Sequence, residues 1–421
     1  MEIIFQYGPI FIAIAVIFGL FMTWGIGAND VANALGTSVG SGALTVSTAI
    51  LVAAIFEFTG ATLAGGHVTS TIRKGIIDAA PTVNEPETLV FGMLAALLAA
   101  AIWLAVASVK GWPVSTTHSI VGALVGFGVA GIGMDAINWG KITQIAASWV
   151  ISPVIGGGIA FALITSIRIL VLNSDRPFHS AVRWGPIYVF FVGFTIALLT
   201  IFKGLKHLNL ELSLLASFAA AILIGGVSAA IGSLLITRVH VDKSADREFH
   251  YASVERVFAP MMIFTACAMA FAHGSNDVAN GIGPLAAVYG LVKSGGEVAQ
   301  TSPLPVWVLV LGGGGIVLGL ATYGYRVMRT IGTRITELTP TRGFCATMAA
   351  ALTVVLASRT GLPVSTTHIA VGAVMGVGLA RGVAALDLFV IRNIVISWLV
   401  TLPVGGLLAA FFFYVLKSMF T

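Results

Sequence analysis

Asp30 and Asp277 are the residues of this chain that most need a chemical explanation, because each lies in an otherwise apolar stretch beside two asparagines. The first stands in GANDVANALG, starting at Gly27, and the second in GSNDVANGIG, starting at Gly274. A charge at bilayer depth costs at least about 2.5 kcal/mol and commonly marks an ion or substrate path. Carboxylate, amide and carbonyl oxygens are hard ligands, suited to a hard cation. A second pair of segments offers the opposite chemistry. PVSTTHSIVGALVG begins at Pro113 and PVSTTHIAVGAVMG at Pro363. Proline suits the first turn of a helix and a hydroxyl suits its cap, so each segment reads as the start of a half-helix or re-entrant hairpin. Such a start presents unpaired backbone N–H groups and the positive end of the helix dipole, which together favour an anion. Ser115, Thr116 and Thr117, with their twins Ser365, Thr366 and Thr367, add hydroxyl donors. Anion donors beside cation ligands suggest co-transport. Protonated phosphate has a hydrogen to donate to Asp30 or Asp277, which modestly favours it over sulfate.

These residues also fit plainer roles. An aspartate often caps the helix that follows, and Ser or Thr in a membrane helix often bonds back to a preceding carbonyl. Duplication favours the functional reading, because the same types return in the same order. His118 and His368 stay open between proton carriers, ligands, supporting groups and packing residues. Gly122, Gly126 and Gly128, with Gly372, Gly376 and Gly378, read as close helix packing. Glu57, in LVAAIFEFTGATLAGG, is a further candidate for an ion path or for a structural pair.

Positioning such groups requires a membrane scaffold. Of 421 residues, 57% are hydrophobic and 9% charged, against roughly 25% charged in an average soluble domain. A crossing needs about 20 apolar residues. Runs of this kind begin near Pro9, Leu44, Leu89, Ile142, Pro186, Leu212, Phe258, Val306, Phe344 and Leu386. The last contains Pro403 and reads as one tilted helix or two shorter pieces. The expected fold is an all-α polytopic membrane protein of ten to twelve transmembrane helices, with a helix break at each NDVAN motif. An acidic residue near the start argues for a retained first helix over a cleaved signal. The net charge of +5 is read as a topology signal, with no nucleic-acid partner. Cys267 and Cys345 fall in apolar segments and read as packing residues.

The paired motifs lie 247 and 250 residues apart, which marks a duplicated domain. Residues 1–165 and 257–421 form the two repeats, and 166–256 contributes connecting transmembrane helices and a cytoplasmic loop. Loop charges suggest that the repeats are inverted. The loop from Gly65 to Glu87 sums to minus one, whereas Tyr325 to Gly343, with Arg326, Arg329, Arg334 and Arg342 against Glu337, sums to plus three. Arg168, Arg176, Arg183 and the stretch from Arg238 to Arg256 fit the same inner side. Inversion requires an odd number of crossings between the two repeat starts. The apolar runs give six, unless Pro113 to Gly133 adds a crossing or a span has been split or merged.

The GANDVANA-like and PVSTTH pairs, with FEFTGATLAGGHVTSTIRKGIID and RITELTPTRGF, resemble the inorganic phosphate transporter (PiT) family over nearly the whole chain. The resemblance implies phosphate uptake coupled to sodium, or to protons, across a cell or bacterial inner membrane. It also implies inverted repeats, a central site between re-entrant hairpins, and a homodimer. On it, Asn29, Asp30, Asn33, Asn276, Asp277 and Asn280 look like the ion and phosphate groups, with sodium on Asp30, Asn33, Asp277 and Asn280. Ser115 to Thr117 and Ser365 to Thr367 resemble the phosphate-facing starts, and Glu57 matches an acidic family position. Thr347 departs from the pattern, standing near where many relatives carry an acid. The short stretch from Arg238 to Arg256 suggests a bacterial or archaeal source. No cofactor is expected beyond the co-transported ion, and no enzymatic activity. A sulfate permease and an anion channel are the alternatives within and outside that class.

Overall fold

In the computed structural model the described residues are 2–78, 85–201, 212–239, 251–297, 304–325, 327–328, 336–359 and 361–421. Arg326, Arg329 and Arg334, and most of the charged stretch after Arg238, lie outside them, as does Phe202. The described residues are mainly helical, and an isolated bridge between Ile77 and Ile137 is the only extended pairing among them. Ten helices there are long and apolar enough to cross a membrane, and each overlaps one of the apolar runs read from the sequence.

In chain order the helices begin with α1 (Glu2–Asn29), α2 (Val31–Gly40), α3 (Val46–Ala64), α4 (Gly66–Lys74), α5 (Pro86–Lys110), α6 (Thr116–Gly131) and α7 (Trp139–Ile167). Then come α8 (Pro177–Leu199) and α9 (Leu214–Ile236). The last are α10 (Ala252–Lys293), α11 (Val306–Gly319), α12 (Pro340–Arg359), α13 (Thr366–Leu379) and α14 (Leu388–Phe420). The segment holding Pro403 is one helix, since neighbouring helices let a membrane helix tolerate an internal proline. Caps recur between the halves. Asn138 accepts from Lys141 N at 3.0 Å before α7, and Asp387 accepts from Phe389 N and Val390 N before α14.

The expected break at NDVAN is nearly absent. In the first copy Asp30 alone separates α1 from α2, with φ −86° and ψ −20°, still in the right-handed region. In the second copy α10 runs unbroken through Asp277 and Asn280. A helix already satisfies its own backbone in lipid, and here the polar side chains find partners on the hairpins, so unwinding has no driving force.

α5 ends at Gly111, whose φ of +66° is the left-handed turn that glycine adopts readily. After four extended residues α6 packs back along α5, so that a Cβ at Gly92, early in α5, would meet Phe127, late in α6. The two form a re-entrant hairpin that makes no net crossing. Pro113 to Gly133 therefore runs back along α5, and the pair leaves an odd number of crossings between the repeat starts. That number has the parity inversion demands.

Across the halves the elements exchange partners. α1 packs on α11 and α10 on α3, while α6 packs on α14 and α13 on α7. The α6–α14 and α13–α7 crossings are held at backbone contact by glycine. A Cβ at Gly126 would strike the carbonyl of Gly406, and one at Gly376 the carbonyl of Gly157. Large apolar side chains on the outer faces of α7, α9 and α14 are exposed, among them Val154, Leu215 and Leu407, as a lipid-facing surface requires. Both cysteines are free, with Cys345 buried.

Gly126→Val is expected to lower the melting temperature in detergent, since overpacking a tight crossing costs about 1–3 kcal/mol. Gly158→Ala, whose Cβ meets nothing within 4 Å, should leave it unchanged. Equal melting of both variants would refute the contact.

Candidate functional site

The hairpin starts meet head to head. Ser115 caps α6 by accepting from His118 N at 3.2 Å, and Ser365 caps α13 by accepting from His368 N at the same distance. Both serines therefore have a capping role inside the predicted site. The following threonines cross the axis between repeats. Thr117 Oγ1 donates to Val364 O at 3.0 Å, and Thr367 Oγ1 donates to Val114 O at 3.3 Å. Two helix N-termini, each carrying partial positive charge, are thereby brought face to face.

The carboxylates sit between them. Thr116 Oγ1 donates to Asp30 Oδ2 at 2.6 Å, and Thr366 Oγ1 donates to Asp277 Oδ2 at 2.7 Å. Thr367 Oγ1 also lies 3.2 Å from Asp30 Oδ1. Asparagines close the ring from the opposite repeat. Asn33 Nδ2 donates to Thr367 Oγ1 at 2.9 Å, and Asn280 Nδ2 to Thr116 and Thr117 at 3.2 Å each. The side-chain carbonyl oxygens of Asn33 and Asn280 are buried and meet no hydrogen-bond donor among the described residues. Two orphaned amide oxygens beside two carboxylates are the donor set of a hard cation.

Asn29 does not join this ring. It holds the hairpin tip, donating to Ser108 Oγ and Trp112 O and accepting from Val114 N. Asn276, its twin in sequence, is fully buried. Thr347 bonds Gly343 O at 2.8 Å and shares a hydrogen bond with Thr37.

Glu57 brings in a residue the sequence reading missed. Its Oε2 lies 2.7 Å from His273 Nδ1, and His273 Nε2 lies 3.1 Å from Asp277 Oδ2, with all three side chains fully buried. The second contact is within ion-pair distance, although its alignment falls short of a hydrogen bond. Ligand atoms of Asp30, His273 and Asp277 lie within 4.8 Å of one another. The signal was in the alignment of repeats. Gly27 abuts the carbonyl of Ile316 as Gly274 abuts that of Glu57, so Ile26 and Ile316 are the counterparts of His273 and Glu57. One half carries a titratable pair where the other is apolar.

That substitution between halves supplies a test. Removing one member of a buried ion pair costs about 3–5 kcal/mol, whereas an apolar replacement of both is often neutral. Glu57→Ile and His273→Ile are each expected to lower the melting temperature in detergent, and the double variant to recover most of the loss. Additive losses in the double variant would contradict the pairing.

Comparison with known proteins adds four findings. A family model described as the phosphate transporter family matches residues 26–409. A protein of Haemophilus influenzae that carries a phosphate-permease name is 48% identical over 420 residues, covering 100% of both chains. The inorganic phosphate transporter 2-1, chloroplastic, of Arabidopsis thaliana is 44% identical over 95% of this chain and 71% of its own length. A solved structure described as the sodium-dependent phosphate transporter superposes with a TM-score of 0.88 at 41% identity, covering 97% of this chain and 99% of the other.

Proposed function

The chain belongs to the phosphate transporter family, and from that premise we propose that it carries inorganic phosphate with sodium, as a symporter working by alternating access. The observation that carries this reading is the double use of one set of hydroxyls. Thr116 and Thr366 are the donors an anion needs, and they are engaged by Asp30 and Asp277. Phosphate cannot take those hydrogen bonds while two bare carboxylates hold them and repel its charge. A cation bound between the carboxylates and the orphaned oxygens of Asn33 and Asn280 changes both conditions. It neutralises the acids and turns them from the hydroxyls, and the helix N-termini can then receive the anion. Sodium binding in this way creates the phosphate site, which is coupling without a distant relay.

Alternating access would follow from the repeats. Residues 1–165 and 257–421 are read as inverted halves around this midpoint, rocking against one another so that each side of the membrane reaches the site in turn. The crossed α6–α14 and α13–α7 packing supplies rigid units for that motion. A multi-pass place in a cell membrane and a homodimeric assembly belong to the same reading, and nothing in it calls for a catalysed reaction.

Radiolabelled phosphate uptake into proteoliposomes tests the proposal. Uptake should require an inward sodium gradient and persist in excess sulfate. Asp30→Asn should weaken the sodium dependence. Thr116→Ala and Thr366→Ala should each raise the KM for phosphate about tenfold, the loss expected for one charge-assisted hydrogen bond. Uptake equally fast with choline replacing sodium would overturn the coupling, and sulfate uptake indifferent to phosphate would overturn the substrate.

A further inference from the structure

His118 and His368 belong to no part of the site described above, yet they follow the crossing threonines directly and are both buried. Each reaches a tryptophan carbonyl on the helix packed against its own. His118 Nδ1 lies 3.3 Å from Trp398 O of α14, and His368 Nδ1 lies 3.0 Å from Trp149 O of α7. A carbonyl can only accept, so Nδ1 carries the hydrogen in both rings. The rings then form a chain across the axis. His118 lies 3.8 Å from Trp149, centroid to centroid, and 4.5 Å from His368, which stacks on Trp398 at 3.5 Å. SWVISPVIGG and SWLVTLPVGG, beginning at Ser148 and Ser397, are thus a third duplicated motif, set 249 residues apart.

A carbonyl inside a helix ordinarily accepts from the N–H four residues on. For Trp149 that residue is Pro153, which has none, and His368 supplies the missing donor. Trp398 keeps a helical donor at Leu402, because Pro403 falls one residue later. The shorter bond is the one to the carbonyl that proline leaves free, so the pair is crossed but unequal.

Resting on the transport reading, we propose that His118 and His368 are positioning residues. They are two latches, each tying one hairpin start to the outermost helix of the opposite repeat, which keep Thr116 and Thr366 aimed at their carboxylates. The latch works through the Nδ1 donor and not through ring volume. Asparagine places an N–H where Nδ1 stands, glutamine places one near Nε2, and leucine places none.

The test is a substitution series at 368, reconstituted at matched protein density. His368→Asn should keep the KM for phosphate within about twofold of the parent, while His368→Gln and His368→Leu should raise it roughly tenfold, as for one lost hydrogen bond, with less change in Vmax. His118→Leu should do less than His368→Leu. Pro153→Ala, which gives Trp149 O a helical donor of its own, should raise KM, and Pro403→Ala should not. The same order, with asparagine above glutamine and leucine, is expected in melting temperature, a readout that needs no substrate. Absence of uptake in the parent would sink the functional reading and leave the melting order to decide the latch. Leucine equal to or above asparagine in both readouts overturns the latch.

Discussion

Two hydrogen bonds, from Thr116 to Asp30 and from Thr366 to Asp277, are the interactions on which the rest of the structure turns. They join an acid to a hydroxyl at the point where two helix N-termini meet. Buried carboxylates are costly unless they are paired or hydrogen-bonded, and these are met by hydroxyls and helix ends, with His273 beside Asp277. On the proposed reading the arrangement would yield to a cation, because among the described residues the asparagine oxygens beside it meet no hydrogen-bond donor. On that reading the anion and the cation share their groups, so the two sites would not fill independently.

The surrounding architecture keeps this point small and rigid. Glycines at the α6–α14 and α13–α7 crossings allow backbone contact, and small-residue contact of this kind is how membrane helices associate closely without a hydrophobic driving force. Twofold exchange of partners means that neither half completes its own packing. The symmetry fails in one place. Glu57 and His273 form a buried pair where the other half has Ile26 and Ile316, so Asp277 has a histidine neighbour that Asp30 lacks on its own helix. The two aspartates are chemically distinct despite equivalent positions.

Much of this was legible in the sequence. Ten apolar runs were visible because lipid imposes length and composition on every crossing, and the duplicated motifs named the hydroxyls and carboxylates that the fold brings together. The continuity of the helices through NDVAN was not legible, because glycine and asparagine are poor helix formers in water, while at Asp277 the backbone of α10 stays helical and the hairpin supplies side-chain partners. The parity of the crossings was hidden for a related reason. α6 is apolar but shorter than a span, and only the structure shows that it returns along α5. His273 escaped notice because it replaces an isoleucine in just one copy. Trp149 and Trp398 escaped because their carbonyls, and not their rings, make the contact that matters.

The central claim is that the carboxylates occupy the donors phosphate needs until a cation claims them. Calorimetric titration of the purified protein with phosphate, with and without sodium, measures this most directly when the parent is compared with the Asp30→Asn, Asp277→Asn double variant. The account predicts phosphate binding to the parent only with sodium present, and binding to the double variant that no longer depends on sodium. Phosphate binding to the parent that is equally strong in sodium and in choline, or a double variant whose binding still requires sodium, would contradict it.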